Sequence, residues 1–298
     1  MAYKGRRVKK IAVWKRPGFW AALVTLVLVA VLAIWTVAKF SDGSFTVRTP
    51  DPTTEPTSME RPTEETKETI PQPPENPYGP VDFMVEEDTQ EMIFLSGDAI
   101  KGIDVSTWQG SIDWQQVRDS GVEFVMIRVG GRGTSSGGLY ADDMAQRYYE
   151  GAKAVGLKVG AYFFSQSISE EEAVEEAEYT LDLIRDWEVD MPVVYDWEYI
   201  GDGARTDIMS ARLLTDMVKA FCDTVRDAGY DPMVYFGRSH SADLLHLAEL
   251  VEYKFWLAMY NPIMDYPYQI HMWQYTETGT VPGIAGNVDV NLWLPDPE

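Results

Sequence analysis

Two acidic residues, Asp196 and Glu198, lie two positions apart at the end of an apolar segment that starts at Pro192. On a β-strand, side chains two residues apart point to the same face, and about 6.5–7 Å separates them along the strand. A carboxyl group that keeps its proton and a carboxylate that stays ionised are the pair that hydrolysis of a glycosidic bond needs. Like charge raises the pKa of one member, and aromatic surroundings raise it further by desolvation. The spacing therefore predicts acid/base chemistry on a sugar polymer, if a strand presents both groups at a cleft.

The tripeptide Asp-x-Glu is weak evidence by itself, because the same tripeptide also occurs as Asp186-Trp187-Glu188. That earlier copy falls at the predicted end of a helix, where we expect a solvated surface. The later copy follows a run of β-forming residues, and the active sites of α/β barrels form where such strands end. The context therefore favours Asp196 and Glu198 as the functional pair.

Two further acids lie on predicted strands at opposite ends of the chain's regular pattern. Asp104 ends the first strand, and Asp289 shares a face of the last strand with Asn291. Alternatively, Asp104 caps the turn that follows it, and Asp289 is an ordinary loop acid. The first and last strands are neighbours in a closed barrel, so barrel closure would bring Asp104 and Asp289 together.

Aromatic residues recur at the predicted strand ends, and aromatic faces bind the apolar faces of sugar rings. Packing in the core is the alternative interpretation, and we expect it for many members of the set. The candidates for sugar contact are Tyr162, Phe164, Tyr199, Tyr235, Trp256, Tyr260, Trp273 and Tyr275.

Strand-like and helix-like segments alternate from residue 99 onward. The predicted strands are 102–105, 124–129, 158–164, 193–197, 233–236, 255–260, 270–275 and 288–292. The predicted helices, with apolar residues at three- and four-residue spacing, are 114–120, 141–155, 170–187 and 211–228. This alternation predicts an α/β fold with a parallel sheet, and eight strands suit a barrel of the TIM type. Long helices are missing between the last strands, so we expect an irregular barrel.

Composition and missing motifs exclude several other functions. The formal net charge is -22, and a strongly acidic body repels polyanions, so nucleic acid is not an expected partner. The three histidines are not at metal-ligand spacing, and the glycine-rich run 130–138 lacks the Lys-Ser/Thr of a phosphate loop. Cys222, the only cysteine, lies in the apolar pattern of a helix, so we expect a buried thiol and neither a disulfide nor a zinc site.

The N-terminal segment predicts a single membrane span. Residues 1–17 are rich in Lys and Arg, and residues 18–38 carry no charge over about the length of a membrane-crossing helix. Positive charge beside a span stays in the cytoplasm, so we expect the rest of the chain outside a bacterial cell membrane. A cleavable signal peptide is the alternative, but its apolar core is usually shorter, and Val37–Phe40 is a poor cleavage site.

Residues 39–98 separate the predicted span from the predicted domain. The stretch 48–80 is rich in Pro, Thr and Glu and has almost no apolar residues to bury, which predicts a disordered or extended linker. Regular patterning begins near Ala99, so we expect the folded domain at 99–298. We expect this domain to be a monomer.

The residues of this domain resemble glycoside hydrolase family 25, the muramidases of the Chalaropsis lysozyme type. The opening Asp-Val-Ser-Thr-Trp-Gln-Gly at 104–110 and Pro-Val-Val-Tyr-Asp-Trp-Glu at 192–198 look like the first strand and the catalytic strand of that family. Four other segments are also similar to it: 160–164, 256–260, Trp-Gln-Tyr at 273–275 and 279–291. The resemblance covers about 99–294 with the segments in the family's order, which is more specific than any single motif.

The resemblance implies cleavage of the β-1,4 bond between N-acetylmuramic acid and N-acetylglucosamine in peptidoglycan, without a cofactor. It implies that Glu198 is the general acid/base and that Asp196 is the second carboxylate, which in such families can orient the substrate's N-acetyl group. Asp104 and Asp289 would line the site, and Gln274 would contact substrate. The chain departs from many family members in its predicted membrane span, in the lack of wall-binding repeats and in Phe163, where some members have a polar residue.

Two functions of other classes remain open at this point. One is a non-catalytic module that binds cell-wall glycan on a membrane stalk, although such proteins often lose one of the carboxylates that this sequence keeps. The other is a scaffold that recruits further wall proteins.

Overall fold

The computed structural model describes residues 72–201, 203–207, 209–238 and 244–296. The predicted cytoplasmic segment (1–17), the predicted membrane span (18–38) and the first part of the predicted linker lie outside the described residues. Of the helices within the described ranges, none combines the length and the apolar character needed to cross a membrane.

Strands and helices alternate through the described chain as the sequence predicts. The strands are β1 (Phe83–Val85), β2 (Met92–Phe94), β3 (Ile100–Val105), β4 (Phe124–Arg132), β5 (Leu139–Ala141), β6 (Lys158–Ser165), β7 (Val193–Trp197), β8 (Pro232–Gly237), β9 (Lys254–Ala258), β10 (Met272–Gly279) and β11 (Val288–Trp293). The helices are α1 (Trp114–Asp119), α2 (Ala145–Ala154), α3 (Glu170–Ile184) and α4 (Ala211–Asp227). Each of the eight strands and four helices predicted from the sequence is found within a few residues of its predicted bounds.

Eight of these strands close into a barrel. The order around it is β3, β4, β6, β7, β8, β9, β10 and β11, and β11 pairs again with β3. Neighbours from β3 to β10 are parallel, whereas β11 runs antiparallel to both β10 and β3. The predicted α/β fold and irregular barrel are therefore confirmed. The irregularity comes from the last three strands, between which the described chain has short connections in place of long helices.

Local sequence signals fix where the covering helices begin and end. Ser169 caps α3 by accepting a hydrogen bond from the backbone N–H of Glu172, and three glutamates follow in the first turn, where the helix dipole favours them. Gly229 follows α4 with a φ of 89°, a left-handed conformation that suits glycine. Cys222 is fully buried on the inner face of α4, as predicted.

The interior of the barrel is apolar at the N-terminal ends of the parallel strands and polar at their C-terminal ends. Its apolar cluster consists of Phe124, Met126, Met191, Val194, Met233, Trp256 and Met272. Gly102 is required here, because a Cβ atom at this position would lie 2.2 Å from the ring of Phe124. The next inward-facing residues toward the C-terminal ends include the predicted acids. The cluster therefore forms a floor beneath the candidate site.

The end of the predicted linker is folded, which corrects the domain boundary at residue 99. Strands β1 and β2 form an antiparallel hairpin, and the ring of Phe83 packs edge-on against Trp273 of the barrel, with 5.0 Å between ring centroids. Before the hairpin, the backbone N–H of Asn76 donates to the carbonyl of Pro267 at 2.9 Å. Compact structure therefore begins before the hairpin. The few apolar residues that follow Pro80 anchor the hairpin to the barrel.

Candidate active site

The four predicted acids converge on one cavity at the C-terminal ends of the barrel strands. Asp104 on β3 and Asp289 on β11 are register partners across the seam that closes the barrel. Asp196 lies near the end of β7, and Glu198 follows that strand directly. All four line a cavity of about 190 Å³. Asp104 is not a turn cap, because the side chain of Ser106 caps the turn that follows.

Asp104 is buried within a network of amide groups. Its Oδ2 atom accepts hydrogen bonds from the side-chain amides of Gln274 and Asn291, each at 2.8 Å. Burial, followed by the negative charge of Asp289, raises the pKa of Asp104 well above its ordinary value. The pKa of Asp289 is also raised by burial. The barrel seam therefore holds two carboxyls that resist ionisation together.

Asp196 and Glu198 form the second carboxyl pair of the cavity. Burial and the neighbouring charge of Glu198 raise the pKa of Asp196 well above its usual range. The Oδ1 atom of Asp196 is buried and accepts no hydrogen bond from any residue that the structure describes. Glu198 is the more exposed member of the pair. Desolvation by the surrounding protein raises its pKa, and the negative charge of Asp289 raises it further. Four such groups cannot all ionise cheaply, so the cluster retains protons at pH values where isolated carboxyls are charged.

A polar clamp, made of Gln166, Arg205 and Thr206, fixes the backbone at Glu198. The amide Nε2 of buried Gln166 donates to the carbonyl oxygens of Glu198, at 3.1 Å, and of Ser165, at 2.8 Å. Its Oε1 accepts a hydrogen bond from the hydroxyl of Thr206, and its backbone carbonyl accepts one from the guanidinium of Arg205. The chain that leaves Glu198 is therefore tied back onto the end of β6.

Five of the predicted sugar-contact residues line the cavity: Tyr162, Tyr235, Trp256, Tyr260 and Gln274. The Oε1 atom of Gln274 accepts hydrogen bonds from the hydroxyls of Tyr235, at 3.1 Å, and Tyr260, at 2.8 Å. The indole N–H of Trp256 donates to Asn291 at 2.8 Å. These bonds hold the aromatic rings in fixed positions around the acids.

Four other predicted contact residues lie elsewhere. Phe164 is half-buried and is the register partner of Asp196, but it does not line the cavity. Tyr199 is exposed outside it. Trp273 is fully buried, and its indole N–H donates to the carbonyl of Met259, which places it outside the cavity. Adjacent strand residues face opposite sides, and Gln274 faces inward, which turns Trp273 to the outer core together with Tyr275.

Sequence analysis missed three residues of the site: Arg128, Glu277 and Asn291. The guanidinium of Arg128 donates two hydrogen bonds to Asp142, at 2.8 and 3.0 Å, and its positive charge lowers the pKa of Asp196 and Glu198. Glu277 lines the cavity as a fifth acid. The predicted strand ended at 275, which left Glu277 in a loop, whereas β10 continues to Gly279. Asn291 lies two residues after Asp289 on the same strand face, and this spacing could have predicted that its side chain also points into the site.

A closed α/β barrel with paired carboxyls and fixed aromatic rings at its strand ends defines the site of a glycoside hydrolase. The profile of Glycosyl hydrolases family 25 matches residues 103–284, more than half of the chain. The chain therefore belongs to glycosyl hydrolase family 25.

Characterised relatives and solved structures share this domain. The chain is 31% identical over 195 residues to an autolytic lysozyme of Clostridium acetobutylicum, and the alignment covers 64% of this chain and 55% of that protein. It is similar in structure to the modular autolysin LytC of Streptococcus pneumoniae, solved with a synthetic peptidoglycan ligand, with a TM-score of 0.59, 27% identity and coverage of 71% and 52%. The bacterial lysozyme of Streptomyces coelicolor gives a TM-score of 0.53, with 26% identity and coverage of 66% and 93%. The chain thus spans only about half the length of the first two proteins.

Proposed function

We propose that the barrel domain is a muramidase, which hydrolyses the β-1,4 bond between N-acetylmuramic acid and N-acetylglucosamine in peptidoglycan. The observation that carries the proposal is the gathering of Asp104, Asp196, Glu198 and Asp289 in one aromatic-lined cavity, with raised carboxyl pKa values. Family membership and the similarity to an autolytic lysozyme support the same chemistry.

Glu198 is the general acid/base in this proposal. It is the more exposed of the two acids at the end of β7. Its raised pKa keeps a proton available for the leaving glycosidic oxygen. After departure of the leaving group, the resulting carboxylate accepts a proton from the attacking water. The hydrogen bond from Gln166 to the backbone of Glu198 restricts where its carboxyl can lie.

Burial raises the pKa of Asp196 in the free enzyme, so in this proposal Asp196 becomes the ionised partner of protonated Glu198 only when a hydrogen bond from the substrate stabilises its carboxylate. Its buried Oδ1 atom is free to accept the N–H of the substrate's N-acetyl group. That hydrogen bond orients the acetamido carbonyl oxygen toward the anomeric carbon, where it attacks as the bond to the leaving oxygen breaks. Water then attacks the anomeric carbon and breaks this new bond, which restores the acetamido group. The carboxylate also stabilises the positive charge that develops on the sugar.

Asp104 and Asp289 tune the charge around this pair. The charge of Asp289 is a direct cause of the raised pKa of Glu198, and the charge of Asp104 contributes to that of Asp196. Arg128 opposes both effects with its positive charge. The balance favours a proton on the cluster at pH values where isolated carboxyls have lost theirs, and a general acid needs that proton.

Substitution of the proposed acid tests this function directly. Glu198→Gln removes the transferable proton while keeping the shape of the side chain, so we expect the rate to fall by roughly 10²–10⁴-fold. The measurement is the release of new reducing ends from purified peptidoglycan, with mass spectrometry of the products.

The matched control is Glu188→Gln, in the other Asp-x-Glu copy, where the acid lies on the surface. We expect wild-type activity from this control. Undiminished activity of Glu198→Gln would remove Glu198 from its role. Glycan binding by the wild type without any product over long incubation would favour a non-catalytic binding module on a membrane stalk.

We also propose that residues 18–38 hold the enzyme in a bacterial cell membrane, with residues 1–17 in the cytoplasm and the barrel outside. The uncharged apolar run and the basic residues before it support this topology. The protein should then stay in the membrane fraction after a carbonate wash. Recovery of a soluble fragment that begins near Phe40 would contradict the anchor.

A further inference from the structure

A second cavity lies beside the catalytic one, between the N-terminal hairpin and the barrel. We call it the hairpin groove; its volume is about 710 Å³. Its lining comes from the hairpin, from the end of β10 with the loop after it, and from Tyr260. The hairpin precedes residue 103, where the family match begins, so this wall of the groove lies outside the matched part of the chain.

Strand β10 and the residue after it separate the hairpin groove from the catalytic cavity. Thr276, Thr278 and Thr280 line the groove, whereas Glu277 lines the catalytic cavity. The β10–β11 register is irregular between Gln274 and Gly279, and such irregularities re-aim side chains. Tyr260 lines both cavities, so the two spaces meet at its ring.

The chemistry of the hairpin groove suits a hydroxyl-rich ligand. Alternate positions on β10 and the loop after it present three threonine side chains, of which Thr276 and Thr278 also hydrogen-bond each other. The hairpin adds Thr89 and Gln90, which donate to Glu86 and to the carbonyl of Glu87, so their side-chain oxygens face the groove as acceptors. The two charged groups of the lining, Lys101 and Glu91, form an ion pair with each other. The ring of Tyr260, half exposed, offers an apolar face of the kind that sugar rings contact.

We infer that the hairpin groove binds the glycan strand of the substrate beyond the sugars held at the catalytic carboxyls. The inference rests on the proposed function, because a strand held at the catalytic carboxyls reaches the hairpin groove past Tyr260, which lines both cavities. It makes the hairpin a binding element that favours long glycan strands over short ones. Threonine and glutamine side chains hydrogen-bond the sugar hydroxyls, and each net bond adds modestly to affinity.

The test fills the groove and varies the length of the substrate. Thr278→Trp and Thr280→Trp place a bulky ring in the groove from two exposed positions. We expect KM on long, peptide-free glycan strands to rise about tenfold, the loss of one or two net hydrogen bonds, while kcat and the KM for a tetrasaccharide stay unchanged. Met84→Trp is the control, since Met84 is exposed and does not line the groove.

Three outcomes would overturn the inference. An unchanged KM on long strands, or an equal rise for the tetrasaccharide, would show that no glycan occupies the groove. A rise seen only with peptide-bearing strands would assign the groove to the peptide stem. Binding of peptide-free strands to Glu198→Gln, with and without Thr278→Trp, tests the groove even if the wild type cleaves nothing. A loss of affinity for long strands there would support the groove independently of catalysis.

Discussion

Asp104 and Asp289 face each other across the seam where β3 and β11 close the barrel, and Asp196 and Glu198 approach them from β7. No one of these acids would be unusual on a protein surface. Their raised pKa values come from burial and from one another, so the chemistry belongs to the cluster. A change at one carboxyl should therefore alter the protonation of the others.

A pH dependence of stability follows from these pKa values. A carboxyl whose pKa is higher in the folded state than in the unfolded chain stabilises the fold fully below the unfolded value, about 4. That contribution is lost as the pH rises through the folded value. Asp104→Asn removes a buried acid whose pKa in the folded state is well above its ordinary value. Between pH 4.5 and 7.5, the free energy of unfolding of this variant should therefore fall less than that of the wild type.

The measurement is urea unfolding of both proteins at the two pH values. Glu188→Gln, the surface control, should follow the wild type at both. Parallel curves for Asp104→Asn and the wild type would show that Asp104 ionises as readily in the folded state as in the unfolded chain. That result would also remove the basis for a shared proton in the site.

At the scale of elements, the strand that carries the catalytic pair depends on its neighbours for precision. Thr206 and Gln166 connect the chain after β7 to the end of β6. The guanidinium of Arg132, at the C-terminal end of β4, forms an ion pair with buried Glu176, whose carboxylate also accepts a hydrogen bond from Ser165. The position of Glu198 is thus set by a network of residues that do not line the catalytic cavity.

Gln166→Leu should disturb this positioning without removing a catalytic group. Loss of the hydrogen bond to the carbonyl of Glu198 should lower kcat roughly tenfold with a small change in KM, and shift the limb of the pH–rate profile that reports Glu198. Gln166→Glu keeps the acceptor for Thr206 but replaces the donated N–H by a carboxylate oxygen that faces two backbone carbonyls, so it should lose at least as much activity as Gln166→Leu. Gln146→Leu is the control, since Gln146 makes a hydrogen bond far from the site, to Trp187. An equal loss of activity in Gln146→Leu, or an unshifted pH profile in Gln166→Leu, would show that the polar clamp stabilises the fold but does not position Glu198.

The same elements show what the sequence could and could not predict. The eight barrel strands were predictable because each is an apolar run between turn residues, and the position of Asp196 followed from its strand. The face on which Trp273 lies was not, because an apolar strand buried on both sides has no polar alternation to mark its inner face. Glu277 was missed because the irregular register at the end of β10 leaves no periodic pattern.

At the scale of the whole molecule, the folded unit is larger than the family match. The hairpin strands are three residues each, too short to give a periodic signal beside the Pro-rich segment. Phe83, Met92 and Phe94 are nevertheless buried, and they cover the outer surface of β10 around Trp273. The barrel therefore needs the hairpin both as a cover and, by our inference, as one wall of a glycan groove.

A fragment of residues 99–298 should accordingly be less stable than one of residues 72–298. Burial of each large apolar side chain contributes about 1.5–3 kcal/mol, and ordering the segment offsets part of the sum, so we expect a difference on the order of 3 kcal/mol. Guanidinium unfolding of the two fragments measures it. Phe83→Ala in the longer fragment should reproduce part of the loss, because it removes the ring that packs on Trp273, whereas Met84→Ala, at an exposed position of the same strand, should not. Equal unfolding midpoints for the two fragments would mean that the hairpin rests on the barrel without stabilising it, and the case for a fixed groove wall would fall with it.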